Sequence, residues 1–466
     1  MTPECPDELG PTSTSNLRPA WLARPVDPNA LDPVLWSRTA VRRDDGAVQI
    51  GGVGLPDAVA RFGSPVYLLD EDDFRARARA FRDSFAGWSV YYAGKAFLCR
   101  RVVRWVMDEG LCLDVCSGGE LEVALRAGAD PARLGLHGNN KTVDELDLAL
   151  RAGVGRIVVD SMDEIDRLER LCVAHGTTAP VMVRVTPGVH AHTHEYIATS
   201  HEDQKFGFSI ASGQAMAALR RCQDSPVLCL RGVHHHIGSQ IFETDGFGVA
   251  IGRTMALVRD FRDATGVTVD ELDVGGGFGI AYTDADSPAT TAQLAAHLDG
   301  IVREAAQACG MRVPVLSLEP GRAIVGPAGT AVYTVGTVKP VDLAGGGQRV
   351  YVSVDGGMSD NIRPALYGAD YSAVLANRAT DAPTILCRVV GMHCETGDVL
   401  VRDVFLPSDI AAGDLLAVPA SGAYCRAMAS NYNCALRPPV VAVADGRADV
   451  LVRRETLDDL LALDVG

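Results

Sequence analysis

Short apolar runs recur through the middle of the chain, separated by stretches in which polar and apolar positions alternate with a helical period. SVYYA (89–93), CLDVC (112–116), LGLHG (134–138), RIVVD (156–160), VMVRV (181–185), LRGVHHHIG (230–238), LDVGG (272–276) and VLSLEP (315–320) read as strands. Near-continuous apolar runs of this kind predict strands buried on both faces. Between them, GGELEVALRAG, TVDELDLALRAG and SMDEIDRLERLCVAH carry apolar residues at three- and four-residue spacing. That spacing predicts helices with one buried stripe. Eight such units between residues 88 and 320 are the arithmetic of a (β/α)8 barrel. A doubly wound sheet would alternate in the same way.

The pattern changes after residue 322. TAVYTVGTVKPV, RVYVSVDGG, TILCRVVGMHC, LLAVPASGAY and PVVAVADGRADVLVRRE read as strands joined by glycine-rich turns, with few helices. They predict a C-terminal β-domain over 323–466, of sandwich or barrel type, behind a barrel over 71–322. AVQIGGVGL and PVYLLD, in the segment 21–70, are expected to pair with that β-domain. Residues 1–20, rich in Pro, Ser and Thr, are expected to form a disordered leader.

Composition narrows the functional classes. The chain has 466 residues, 47% hydrophobic and 22% charged, as expected of a globular protein. No run approaches the ~18 apolar residues of a membrane span. The N-terminal MTPECPDELGPTSTSN lacks the apolar core of a secretory signal. A net charge of −16 argues against nucleic acid or an anionic membrane as partner. The 12 cysteines contain no C-x-x-C pair, which fits reduced thiols in the cytoplasm and no metal site.

Candidate chemistry begins at Lys95. The chain has 4 lysines among 43 Lys and Arg, and one of them follows the apolar strand SVYYA. A snorkelling side chain at a strand end is the simpler account of that stretch alone. The chemical account is that a partly desolvated lysine can lose its proton and form a Schiff base, which arginine cannot. Reactive groups of such barrels sit at the C-terminal ends of the strands, with phosphate in the loops after strands seven and eight. Strand seven runs into Gly275, Gly276, Gly277, Phe278 and Gly279, and strand eight into Glu319, Pro320, Gly321 and Arg322. Glycines let backbone N–H groups approach phosphate oxygens. An amine and a phosphate cradle at one mouth suggest pyridoxal 5'-phosphate, with Glu319 a carboxylate for the pyridine nitrogen. The alternative for Glu319 is a buried ion pair with Arg322.

HHHIGSQ (234–240) ends strand six. Side chains alternate along a strand, so at most His234 and His236 share a side, which disfavours a three-histidine metal site. His236 is the candidate for stacking on a cofactor ring, Ser239 for reaching its phosphate, and His235 for packing. GMHCETGD (391–398) puts Cys394 and Glu395 in a loop of the β-domain. A thiol there can give a proton to a carbanion, although a single cysteine is more often inert.

YYAGKAF, HGNNK, EDQKFGF, HHHIGSQ, GGGFG, EPGR, VDGGMSDNIRPALYG, CETGD and GAYCRAMASNYN occur in the order found in diaminopimelate decarboxylases. Over roughly residues 60 to 455 the chain resembles that family of pyridoxal-phosphate enzymes, which have an alanine-racemase-like barrel and a C-terminal β-domain. The resemblance implies decarboxylation of meso-2,6-diaminopimelate to L-lysine and CO2, the last step of lysine biosynthesis. It implies that Lys95 carries the cofactor, that His236 stacks on the ring, and that Gly277 and Glu319 to Arg322 bind it. It places Arg322, Arg363, Tyr367, Glu395 and Tyr424 at the substrate, with Tyr424 also at the phosphate and Cys394 as proton donor. It further implies a homodimer in which each Cys394 loop serves the partner's site. A decarboxylase of ornithine, arginine or carboxynorspermidine type is the nearest alternative. Departures from the family are few: His235 stands where Cys or Ser is usual, and SNYNCALRPP differs after Asn-Tyr-Asn.

Overall fold

The computed structural model describes residues 18–189, 204–343 and 347–466. Residues 1–17 of the expected leader, and the first two residues of EDQKFGF, lie outside the described residues.

Among the described residues, eight parallel strands close into a barrel. They are Ser89–Ala93, Cys112–Val115, Leu134–Leu136, Arg156–Val159, Ala179–Thr186, Leu228–His234, Glu271–Asp273 and Val315–Leu318. Each pairs with the next in chain order, and the last closes on the first through Ser317–Ser89 and Leu318–Val90. Closure excludes the open doubly wound sheet. The helices between them start where a side chain satisfies the free backbone N–H groups. Thr142 and Glu145 form a reciprocal capping box before Val143–Ala152, Ser161 caps Met162–His175, and Thr290 with Gln293 caps Thr291–Ala308.

The barrel interior is not purely apolar. Arg156 is buried and donates from Nη2 to Asp273 Oδ2 at 2.6 Å and from Nη1 to Ser317 Oγ at 3.0 Å. Its guanidinium lies 3.6 Å from the centroid of the Tyr91 ring. Strand ends that carry charge are thus tied together across the barrel.

The second sheet runs Val399–Pro407, Thr384–Val390, Gln348–Val354, Gly329–Asp342, Val66–Asp70, Val440–Ala444, Arg447–Val452. Val66–Asp70 (from PVYLLD) lies inside it, antiparallel to Gly329–Asp342 and parallel to Val440–Ala444. AVQIGGVGL behaves differently from the expectation. Gly51 and Gly52, with φ of 56° and 77°, turn the chain back on itself. The result is a small sheet of Val41–Arg42, Val48–Ile50 and Val53–Gly54 with its own pairing. Val48 and Ile50 still bury their side chains against Val332, Ala417 and Val441 of the large sheet. The barrel mouth faces the β-domain because Arg322–Ala328 leads directly from the last barrel strand into Gly329–Asp342. A Cβ at Gly422 would meet Val325 O at 1.8 Å, so the two parts touch backbone to backbone.

Candidate active site

The first barrel strand ends at Ala93 and a tight turn, Gly94–Ala96, swings Lys95 into the mouth. A Cβ at Gly94 would lie 2.8 Å from Asp114 O, so this turn requires glycine. Lys95 meets His236, Ser239, Gly277, Glu319, Arg322 and Tyr424 around a cavity of about 50 Å³. Its side chain stands free in that cavity, so water reaches it although protein surrounds the site on every side. Burial alone would lower its pKa. Tyr424, Cys116, Glu319 and Asp114 outweigh burial and raise it. This corrects the expectation that desolvation frees the amine: with no cofactor bound, Lys95 is a held ammonium.

The cradle is set by backbone approach. A Cβ would meet Glu319 O at 2.1 Å from Gly276 and Gly238 O at 2.2 Å from Gly277. Gly275, at φ 70°, would carry its Cβ to 2.4 Å from His235 O. Pro320 O accepts from Ala93 N at 3.2 Å, and a Cβ at Gly321 would meet Ala93 O at 2.9 Å. These glycines let the ends of the last barrel strands and their loops pack backbone against backbone, and Gly277 and Gly321 line the inner cavity there.

His236 accepts at Nδ1 from Gly276 N at 3.2 Å. Burial, helped by the positive Lys95 and Arg184, drives its pKa well below the usual value. The ring is therefore neutral, and it lines the inner cavity. His235 turns away, buried against helix Asp245–Thr265, with Nδ1 3.2 Å from Thr254 Oγ1.

Glu319 is not paired with Arg322. Its Oε1 lies 3.1 Å from His137 Nε2, 3.2 Å from His234 Nε2 and 3.5 Å from Arg156 Nη2. His137 Nε2 also lies 2.8 Å from Asp114 Oδ1. Burial would raise the Glu319 pKa, but His137 and His234 hold it well below the carboxylate range. The two carboxylates in turn overcome burial and push His137 up to about 9. Asp114 is pushed up to about 6 by burial and by Glu319. The imidazole nitrogens and the Glu319 carboxylate lie within 4.8 Å of one another, a spacing a metal could bridge. With His137 and His234 against its Oε1, Glu319 is kept ionised, and the three side chains form one buried charge network.

A larger cavity of about 470 Å³ opens outward and shares Ser239 and Arg322 with the inner one. Arg363 and Tyr367 of the β-domain form one wall. Arg322 donates from Nη1 to Tyr282 Oη at 2.5 Å and from Nη2 to Ser239 Oγ at 2.8 Å. Arg363 donates to Tyr371 Oη and lies 4.4 Å from the Tyr282 ring centroid. Both are at least nine-tenths buried, and the Nε of each lacks a hydrogen-bond partner. Among the described residues neither forms an ion pair; Asp355 accepts instead from Thr334 N and Asp360 from Tyr333 Oη. A buried, acid-free guanidinium is expensive, and it is most readily explained as a site for an anionic ligand.

Tyr424 sits at φ 60° and donates its backbone N–H to Ala96 O at 2.9 Å, fixing the β-domain to the Lys95 turn. The Arg322 guanidinium lies 4.7 Å from its ring centroid.

Cys394 and Glu395 are not brought to these cavities. Both are exposed, on a turn that lines neither cavity of its own chain. The turn is nevertheless well built. Buried Asp398 accepts from Met358 N at 2.6 Å and His393 N at 2.7 Å, and Glu395 accepts from Tyr432 Oη at 2.7 Å.

Sequence reasoning missed His137, Asp114, Arg156 and Tyr282. The available signal was position: Asp114 and His137 are polar residues at the ends of the otherwise apolar strands CLDVC and LGLHG.

The comparisons with known proteins agree with this geometry. Residues 71–326 match the family "Pyridoxal-dependent decarboxylase, pyridoxal binding domain". The diaminopimelate decarboxylase of Mycobacterium tuberculosis is 53% identical, over 93% of this chain and 98% of that protein. The diaminopimelate decarboxylase of Bacillus subtilis is 44% identical, over 92% and 97%. The crystal structure of the M. jannaschii diaminopimelate decarboxylase with L-lysine superposes with a TM-score of 0.85 at 29% identity, covering 93% of this chain and 99% of that one. At this identity and coverage, the chain belongs to the diaminopimelate decarboxylase family of pyridoxal-dependent enzymes.

Proposed function

We propose that this chain decarboxylates meso-2,6-diaminopimelate to L-lysine and CO2 with pyridoxal phosphate as cofactor. The observation that carries the reading is the buried guanidinium of Arg363, without an acid partner among the described residues, in the cavity next to that of Lys95. Besides the carboxylate that leaves, diaminopimelate carries a distal one for Arg363. Ornithine has no distal carboxylate and would leave that guanidinium without an anion.

Bound pyridoxal phosphate supplies an aldehyde for the substrate amine and a ring that accepts the electron pair released with CO2. Lys95 would hold the cofactor once its Nζ has given up a proton. His236, with its neutral imidazole, would hold the ring. Glu319, kept ionised by His137 and His234, would keep the pyridine nitrogen protonated. Ser239, Gly275, Gly276, Gly277, Pro320, Gly321, Arg322 and Tyr424 form the cradle. Arg363 and Tyr367 take the distal end of the substrate. Cys394 Sγ returns one proton to the α-carbon, so that CO2 leaves and a hydrogen takes its place.

Cys394 and Glu395 line neither cavity of their own chain. Met392 and Tyr432 beside them are exposed at 53% and 38%. This supports a homodimer in which each loop enters the partner's outer cavity, Glu395 meeting the distal ammonium. Among the described residues no helix is long and apolar enough to cross a membrane; with the reduced cysteines this supports a cytoplasmic enzyme. The test is CO2 release from diaminopimelate, ornithine, lysine and arginine by the purified holoenzyme. Diaminopimelate is expected to exceed the others by orders of magnitude; preference for a diamino monoacid would overturn the reading.

A further inference from the structure

The outer cavity has a third wall, supplied by neither the barrel nor the β-domain. Trp21, from the segment ahead of both, lines it beside Arg363, Tyr367 and Asp370. The indole is half-buried. Its neighbours hold it there. Leu22 is 8% exposed and forms a small core with Leu386 and Phe405 of the large sheet. Leu22 N donates to Pro19 O at 3.1 Å, so residues 19–22 make a turn that presents Trp21. The Arg24 guanidinium lies 4.7 Å from the Phe405 ring centroid and donates to Thr384 Oγ1 at 3.1 Å. The segment is a strap fastened on the β-domain, and its one aromatic side chain faces the site.

The rest of that lining holds two guanidiniums, Arg322 and Arg363, two carboxylates, Asp286 and Asp370, and the aromatic Phe242, Tyr282 and Tyr367. A linear amino diacid offers the matching chemistry: ammonium and carboxylate groups joined by methylenes. A flat indole in the same lining offers apolar area for methylene groups at little conformational cost.

We propose that Trp21 is a substrate-binding residue, whose indole covers the methylene chain of the amino acid and shuts water out of the outer cavity. It rests on the function proposed above. Trp21 lies in the outer cavity and not in the inner one with Lys95, so it acts on binding and not on the chemical step. The experiment is steady-state kinetics on diaminopimelate for wild type, Trp21→Ala, Trp21→Phe and Leu22→Asp, with L-lysine binding by calorimetry and a melting curve for each. Trp21→Ala is expected to raise KM about tenfold and weaken L-lysine binding by a similar factor, equivalent to losing ~1.4 kcal/mol, with kcat within twofold. Trp21→Phe should recover most of the loss. Leu22→Asp, which releases the strap without altering the indole, should reproduce the alanine effect. The other three tryptophans, Trp36, Trp88 and Trp105, line neither cavity. Intrinsic fluorescence should therefore respond to L-lysine in wild type and not in Trp21→Phe. An active wild type with unchanged KM and L-lysine affinity in Trp21→Ala would overturn the proposal alone, as would a fall in kcat and melting temperature without a change in KM. A wild type that releases no CO2 from diaminopimelate would overturn the function and the proposal together.

Discussion

At the scale of single residues, the site is a problem of placing charge. His137 has the clearest pH signature. Its pKa rises from 6.5 to about 9 in the folded protein because Asp114 and Glu319 outweigh burial. The folded state therefore binds a proton that the unfolded state lacks between those values. That stabilisation is complete below pH 6.5 and is lost as pH rises through about 9. Melting temperatures of the cofactor-free protein should fall across this window in wild type and fall less in His137→Asn. Equal slopes would mean that His137 is not charged in the fold. Arg363 makes a different prediction. Losing a charged partner in a desolvated site costs about 2–5 kcal/mol. Arg363→Met should reduce turnover of diaminopimelate by at least ~30-fold, at 1.4 kcal/mol per factor of ten. Ornithine, without the distal carboxylate, should be processed as poorly as before. Parallel CO2 assays on both substrates decide, and equal losses would make Arg363 structural.

At the scale of elements, what the sequence reveals depends on whether burial acts on a whole run or on single positions. Most positions of the barrel strands are buried, so each apolar run is near-continuous and all eight are legible. SVYYA coincides with Ser89–Ala93 to the residue. AVQIGGVGL is expected to pair with the β-domain, but φ at Gly51 and Gly52, not apolar content, decides its path and folds it into its own small sheet. Lys95, His236, Glu319 and Arg322 are legible because strand-end position and residue type both mark them. His137 and Arg156 are not, because their roles arise from partners on strands far away in sequence. The loop at Cys394 combines both cases. Its motif is plain, but its direction is fixed by Asp398 holding Met358 N and His393 N. Cys394→Ala should slow product formation by the 10²–10⁴-fold typical of a lost general acid, while the visible absorbance of bound cofactor persists. Unchanged turnover would remove the thiol from the mechanism.

At the scale of the whole molecule, the proposed function asks how an exposed thiol reaches the lysine at the barrel mouth. One chain holds Lys95 inside its barrel mouth and turns Cys394 outward. The proposed two-fold dimer would resolve this, because an isologous interface presents the same loop to both partners. Each complete site would then take Lys95 from one subunit and Cys394 from the other, and that proposal makes a quantitative prediction. Lys95→Ala and Cys394→Ala are each expected to be nearly inactive as homodimers. Mixed, dissociated and reassociated in equal amounts, half of the dimers are hybrids. In a hybrid, one site has both substitutions and the other has neither. Activity should therefore return to about a quarter of the wild-type value per dimer, for random pairing under two-fold symmetry. Were both groups supplied by the same chain, every site in the mixture would carry one defect and no activity would return. The assay is CO2 release from diaminopimelate after mixing, with each variant alone treated identically. Recovery near a quarter fixes the site between subunits; recovery indistinguishable from the separate variants places Cys394 outside the partner's site.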